Sequence, residues 1–363
     1  MMPYRNRFTN YTWDQFSSLN IAARADLFND GDRAYHTLIS QQFDRPMLDR
    51  LCRLATRVRL IAKSKPGVEF LQGLLSHKRV MIYFSQPSSR TFLSFYAACQ
   101  ILGCRPAEVR DSSTSSEMKG ESPEDTIRTF SSYFDMLIMR TERAGLAEKM
   151  AWILGNTGRP VPIINAGSGK DQHPTQALLD VYTLQRSFER SGGIDGKTVV
   201  FCGDLLRGRT VRSLAMSLTQ YRDVRMLFVT HPRLQIGDDL RQALTAAGVD
   251  YELSEDFEVA IPLADAIYMT RIQDEWDENP GDSKAIDTTR YQFKHEHLAL
   301  LKRDAVLMHP LPRREEIAIE VDADPRAVYW RQVRNGMWIR AALMAETFGI
   351  DGVIDKYFRV NHA

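Results

Sequence analysis

Short apolar runs, each followed by a polar turn and a helix-patterned stretch, recur along this chain and constrain its fold more than any other feature. VMIYF (80–84) leads through QPSSRT into FLSFYAACQILG, which Gly103 stops. DMLIMR (135–140) precedes a helix through Met150, PVPIINA (160–166) precedes HPTQALLDVYTLQRSF, and TVVFCGD (198–204) precedes RTVRSLAMSLTQY. RMLFVT (225–230), AIYMT (266–270) and AVLMH (305–309) read as further strands. Runs that are apolar throughout suit strands covered on both faces, and strand–helix alternation specifies parallel sheets. The pattern predicts an α/β protein of two doubly wound parallel-sheet domains joined by helices.

Punctuation divides the chain. The Gly-rich SGGIDGK (191–197) separates a long helix from a new strand and sets a first domain over 36–190 and a second over 191–333. A length of 363 residues suits two domains of ordinary size. From Asp44, the residues Leu51, Leu54, Val58 and Ile61 stand at helical spacing with arginines on the opposite face. Residues 1–35, polar and aromatic without clear period, read as an N-terminal extension. A last helix over roughly 336–349 belongs to a segment, 334–363, expected to pack back on the first domain. The polar, turn-rich stretch 274–290 suits the mouth of a site.

Lys and Arg total 47 against 46 for Asp and Glu, a net charge of +1 that lacks the basic excess of a general nucleic-acid binder. No apolar run approaches the roughly 18 residues of a membrane span, and MMPYRNRFTNYTW does not read as a secretory signal. The four cysteines (Cys52, Cys99, Cys104 and Cys202) include no CxxC pair and read as reduced packing residues. Together these features point to a cytoplasmic enzyme that binds neither nucleic acid nor membrane.

Chemistry-bearing residues gather at the predicted strand ends, where open α/β sheets collect ligands. PSSRT (87–91) puts hydroxyls, a guanidinium and free backbone N–H groups at a helix N-terminus, an anion site or simply a cap. GDLLRGRT (203–210) has phosphate-loop spacing with Arg209 in place of the lysine, or is a strand-to-helix turn whose arginine meets a carboxylate. In DQHPTQALLD (171–180), His173 precedes Pro174 at a helix start and Gln176 follows, so a carbonyl oxygen and an amino group can be held there. HEH (295–297), on a polar helix, reads as structural, with no third metal ligand in view. TRIQ (270–273) and MHPLPRREE (308–316) complete the set. Arg90, Arg140, Arg209 and Arg271 all fall at or just after strand ends, and anionic substrates are the natural reason for gathering four arginines.

SSRTFLSF, MKGES, HPTQALLD, GDLLRGRTVRSL, YMTRIQ and MHPLPR stand in the order and spacing of the aspartate/ornithine carbamoyltransferase family, which the chain resembles over roughly residues 40–350. HPLP rather than HCLP, and KGES with its lysine, place the resemblance on the aspartate side. It implies a carbamoyl-phosphate-binding first domain, an amino-acid-binding second domain, and carbamoyl transfer to the α-amine of L-aspartate in pyrimidine biosynthesis. Ser88, Ser89, Arg90 and Thr91 would then cradle the phosphate, and Arg140 would bridge phosphate and carbonyl. His173 and Thr91, with Arg140, would polarise the carbonyl oxygen. Gln176 and the carbonyls of Pro310 and Leu311 would hold the carbamoyl nitrogen, while Arg209, Arg271 and Gln273 would bind the acceptor's carboxylates. Lys119 and Ser115 would enter from a neighbouring subunit of a homotrimer. The resemblance implies no metal and no organic cofactor, and it does not say whether a regulatory partner binds.

The departures are specific. The family's usual STRTR reads SSRTF, and its usual glutamate four residues beyond the second arginine is Tyr96, so Phe92 and Tyr96 replace a charged i,i+4 pair. Gln86 and Trp276 stand where aspartate enzymes commonly carry a glutamate and an arginine. These changes keep open an acceptor other than aspartate. A catalytically silent homologue is the remaining alternative, against which the intact set Arg90, Thr91, Arg140, His173 and Gln176 weighs.

Overall fold

The computed structural model describes residues 8–110, 120–169, 172–277, 281 and 285–362. It separates into two compact units, Met1–Leu179 with Arg334–Ala363 and Asp180–Val333. The division falls inside the helix Pro174–Ser187, ahead of the 191–197 loop at which the sequence places it. Helix periodicity runs unbroken through that point, so composition carries no mark of it.

The first unit opens with α1 (Trp13–Ser18), α2 (Ile21–Phe28), the small hairpin β1 (Asn29–Asp30) and β2 (Arg33–Ala34), then α3 (Arg45–Ile61) and α4 (Lys65–Leu74). Then come β3 (Arg79–Phe84), α5 (Ser89–Leu102), β4 (Arg105–Val109), α6 (Pro123–Tyr133), β5 (Met136–Thr141), α7 (Leu146–Gly155), β6 (Ile163–Ser168) and the start of α8 (Pro174–Ser187). Its sheet is wholly parallel in the order β4-β3-β5-β6. The chain runs from β3 out to β4 and returns on the other side at β5, which makes β3/β5 the topological switch point.

Local signals account for these helices. Asp44 caps α3 by accepting from the Met47 N–H at 2.8 Å, Pro46 lies in its first turn, and Leu51, Leu54, Val58 and Ile61 are buried as their spacing predicts. Gly103 ends α5 in the left-handed region at φ 77°, and a Cβ there would sit 1.8 Å from the Gln72 carbonyl oxygen.

The N-terminal segment is more than an extension. Phe8, Phe16 and Phe28 are fully buried in one cluster with Met150, Leu154 and Ile163, and the Trp152 indole donates to the Tyr11 carbonyl. Helices of 6 and 8 residues are too short to display a period, so aromatic anchoring rather than patterning builds this part. Two edge strands also escaped the apolar-run criterion. RPAEV (β4), at one edge of its sheet, is half-buried to exposed, so its mixed residues write no apolar run.

The second unit contains β7 (Thr198–Cys202), α9 (Arg209–Leu218), β8 (Arg225–Val229), α10 (Asp238–Ala246), β9 (Asp250–Ser254), α11 (Phe257–Ala260), β10 (Ala266–Met269) and β11 (Val306–Met308). These strands form a second parallel sheet, β11-β10-β7-β8-β9, with β9 the other edge strand the patterning missed. Its switch point lies between β7 and β10. Instead of one closing helix over 336–349, the chain ends in α12 (Tyr329–Thr347) and α13 (Asp351–Asn361), the latter stacking Tyr357 on Phe70 at 3.8 Å.

HEH lies on a 3-10 turn, His295–Ala299, rather than a polar helix. His297 is buried against Phe257 and Phe293, and its Nδ1 accepts the Lys294 N–H. The role is packing and capping, as the sequence reading expected. All four cysteines are buried and unbridged.

Candidate active site

In the first unit, the predicted anion residues flank the β3/β5 switch point. Ser88 is the N-cap of α5, and Ser89, Arg90 and Thr91 form its first turn. Ser88 is itself in extended backbone, at φ −164° and ψ 106°, and the helix begins at the next residue. Arg90 and Ser89 are exposed, while Thr91 is buried. Farther along the helix, Phe92 and Tyr96 do form an aromatic i,i+4 pair with centroids 5.9 Å apart, and Arg110 lies 4.3 Å over the Phe92 ring.

Arg140 lies at the end of β5, where the register with β6 shifts between Met139 and Thr141. Such irregularities re-aim a side chain beside a site. Its guanidinium is buried, with Nη1 donating to the Ala166 carbonyl at 3.1 Å. Its own carbonyl accepts the N–H groups of Ser85 and Gln86, which ties the turn after β3 to the end of β5.

His173 and Gln176, at the start of α8, are also buried, and the Gln176 N–H donates to the His173 carbonyl at 2.9 Å. Gly167 brings these elements together. A Cβ on it would lie 2.6 Å from Arg140 Nη1 and 3.4 Å from His173 Cδ2. Its φ of 119° also excludes ordinary side chains. Buried Asn165 holds this turn, accepting the Gly167 N–H and donating to the Leu38 carbonyl and the Ser168 hydroxyl. Thus Arg140 and His173 meet at Gly167, in a turn that sequence reasoning passed over, and Gln176 is tied to His173 through its backbone.

Arg340 of α12 was missed as well. It is buried, stacks over Phe95 at 4.8 Å, and donates to the hydroxyls of Ser94 and Thr175. One cation therefore joins the early turns of α5 and α8, the two helices whose starts carry predicted site residues.

In the second unit, GDLLRGRT and TRIQ follow β7 and β10 at the other switch point. A Cβ on Gly203 would lie 2.0 Å from the Thr270 carbonyl oxygen, so only glycine lets these two strand ends approach. Arg209 is the first residue of α9. Arg271 pairs with Glu275 and lies near Asp274, which in turn meets Arg314 at 2.9 Å. Burial is the largest single influence and would raise the Glu275 carboxyl, but the hydrogen bond and charge of Arg271 together with a backbone hydrogen bond hold it below its ordinary range.

Arg207 of GDLLRGRT is a carboxylate-bound arginine. It meets fully buried Asp204 at 3.1 Å and Asp277 at 2.6 Å, and it donates to the Gln273 carbonyl. Burial pushes the Asp204 carboxyl above its ordinary range, against the opposing hydrogen bonds from the Gln273 and Arg207 amides.

MHPLPRREE forms a tight turn after β11 with a cis Leu311–Pro312 bond. His309 Nδ1 accepts the Leu311 N–H at 2.7 Å, so Nε2 carries the proton and donates to Glu316 at 2.6 Å. Glu316 also accepts the Arg314 N–H, which fixes the backbone on both sides of Pro312. Burial works against the Glu316 carboxylate, yet His309 keeps it below the usual range. Pro310 and Leu311 are half-exposed there. A cavity of about 350 Å³ nearby is lined by Gly203, Thr230, Thr270, Tyr291 and Arg314 among others. Ser115 and Lys119 lie outside the described residues.

Residues 35–186 match "Aspartate/ornithine carbamoyltransferase, carbamoyl-P binding domain" and residues 195–347 match "Aspartate/ornithine carbamoyltransferase, Asp/Orn binding domain". The chain belongs to the aspartate/ornithine carbamoyltransferase family. "Aspartate carbamoyltransferase 3, chloroplastic" of Pisum sativum is 41% identical over 306 residues, 84% of this chain and 75% of that protein. Among solved family members, aspartate transcarbamoylase from Trypanosoma cruzi in complex with carbamoyl phosphate and aspartate is 33% identical with a TM-score of 0.77. That likeness covers 86% of this chain and 97% of that one. The catalytic subunit of M. Jannaschii aspartate transcarbamoylase is also 33% identical, with a TM-score of 0.74 over 91% of this chain and 99% of that one. The two family domains fall on the two parallel sheets, so this carbamoyltransferase divides along the chain as its architecture does.

Proposed function

We propose that this carbamoyltransferase transfers the carbamoyl group of carbamoyl phosphate to the α-amine of L-aspartate, giving N-carbamoyl-L-aspartate and phosphate in pyrimidine biosynthesis. The observation that carries the site reading is the meeting of Arg140, His173 and Gly167 beside the helix start that bears Ser88, Ser89, Arg90 and Thr91. Helix N–H groups and Arg90 suit a phosphate, and buried Arg140 with His173 suits an oxygen that gains negative charge.

The amine attacks the carbonyl carbon, charge builds on the carbonyl oxygen, and the C–O bond to phosphate breaks. Thr91, Arg140 and His173 stabilise that oxygen more strongly in the tetrahedral state than before it. The Leu311 and Pro310 carbonyls and Gln176 hold the carbamoyl nitrogen. The departing phosphate accepts the amine's proton, so the step needs no protein base. Arg209, Arg271 and Gln273 bind the acceptor's carboxylates, which displace Glu275 from Arg271 on binding.

The assembly in this reading is a homotrimer in which Ser115 and Lys119 complete a neighbour's site. Four buried, unbridged cysteines fit a reducing compartment, and we assign the cytoplasm. Fluorescent tagging of the full gene product checks that assignment against the plastid location in the Pisum sativum relative's name.

Purified protein incubated with carbamoyl phosphate and L-aspartate is expected to release phosphate and a ureido product together. Absence of turnover at millimolar substrate rejects the proposal. Gln86 and Trp276 favour a second reading, transfer to another amino or dicarboxylic acceptor. A panel of amines separates the two, since a clear preference for aspartate removes the second.

A further inference from the structure

We infer that Asp204 and Arg207 are positioning residues that set acceptor specificity by holding Gln273 from both sides of its backbone. The inference rests on Gln273 being a ligand of the acceptor's carboxylate.

The Gln273 N–H donates to Asp204 Oδ2 at 3.0 Å, and its carbonyl accepts from Arg207 Nη1 at 3.0 Å. Asp204 and Arg207 are themselves bonded twice. Arg207 Nε lies 3.1 Å from Asp204 Oδ2, and the Arg207 N–H donates to Asp204 Oδ1 at 3.1 Å. Both polar backbone groups of Gln273 therefore end on one ion pair. The same guanidinium reaches Asp277 at 2.6 Å, so it pins the segment 273–277 at its beginning and its end.

The arrangement needs an arginine. Its planar fork can meet a carbonyl and two carboxylates at once, whereas an ammonium on a flexible stem is a point charge with no fixed directions. The Asp204 side chain is fully buried and that of Arg207 is 13% exposed, so the pair is screened little by solvent. Neither residue is assigned a contact with substrate. Their effect is to fix where the Gln273 carboxamide begins, and so how far from Arg209 and Arg271 the acceptor's second carboxylate can sit. An acceptor longer by one methylene tests that spacing, which makes L-glutamate the informative competitor.

The experiment compares the unaltered full-length chain with Arg207→Lys, Asp204→Asn and Asp277→Asn, measuring steady-state kinetics with carbamoyl phosphate and either L-aspartate or L-glutamate. Arg207→Lys is expected to raise KM for aspartate about 10- to 100-fold, the size of effect that misplacing a binding group by about 1 Å produces. KM for carbamoyl phosphate should stay within about twofold, and the aspartate-to-glutamate preference in kcat/KM should fall about tenfold. Asp277→Asn, which leaves both bonds to Gln273 in place, should give a smaller rise, about threefold.

A purely structural role would lower kcat or the active fraction for both acceptors and leave their ratio alone. An unchanged ratio, or equal changes in both KM values, overturns the inference while leaving the proposed reaction standing. Should Asp204→Asn fail to fold, the Arg207→Lys and Asp277→Asn variants decide by the same ratios. No turnover by the unaltered chain rejects the underlying reaction and the inference with it.

Discussion

Arg140, His173 and Gly167 show how closely single atoms determine this site. The Gly167 Cα lies where any side chain would strike Arg140 Nη1, so Gly167→Ala is expected to displace the guanidinium and raise KM for carbamoyl phosphate. A rise of about 10- to 100-fold by steady-state kinetics corresponds to roughly 1 Å of misplacement. Arg90→Ala should lower kcat/KM by about 3 kcal/mol of transition-state stabilisation, the loss seen when an oxyanion or phosphate donor is deleted. A wild-type rate in that variant contradicts the role of Arg90. His36 makes a pH prediction. Full burial lowers its pKa from 6.5 to about 3, and its Nδ1 accepts the Ile163 N–H. Below pH 6.5 the unfolded chain binds a proton that the folded chain refuses, so this residue makes stability fall as pH drops from 6.5 toward 3, by about 1.4 kcal/mol per unit. Urea unfolding at pH 7 and pH 5 checks the slope, and His36→Gln should flatten it.

Between elements, Arg340 connects what sequence order keeps apart. It belongs to α12, yet its guanidinium serves Ser94 of α5 and Thr175 of α8. Gly336, one turn earlier, leaves room for it, since a Cβ there would lie 2.7 Å from Nη1. Arg340→Met keeps the apolar stem but leaves two hydroxyls without their donor. A stability loss of about 1–3 kcal/mol by urea unfolding is expected, with a fall in carbamoyl-phosphate affinity because both site helices lose their tie. Unchanged affinity with lowered stability would confine Arg340 to a packing role. Longer helices such as α3, α5 and α8 were legible from their period and stop signals, and strands buried along their length were legible as apolar runs. The edge strands β4 and β9 were not, because their residues are mixed and half-exposed, whereas the edge strands β6 and β11 are buried throughout.

The whole molecule repeats one solution twice. Each parallel sheet reverses its strand order once; Ser88, Ser89, Arg90, Thr91 and Arg140 follow the strands at one reversal, and Arg209, Arg271 and Gln273 those at the other. Its proposed trimeric form is tested by mixing inactive chains. Lys119→Ala and Arg90→Ala subunits, each silent alone, should recover part of the activity on reassembly, because one hybrid site then contains both native residues. Failure in proven mixed trimers would locate the whole site within one chain. The order of strands and helices, the family and the residue types fit for two anions are already determined by the amino-acid sequence, since periodicity and turn chemistry act over a few neighbouring residues. Folding alone decided that Arg207 meets Asp277 and the Gln273 carbonyl, that Gly167 makes room for Arg140, and that the aromatic N-terminus enters the core. Those outcomes depend on contacts between residues tens to more than a hundred positions apart, whose partners no local pattern names.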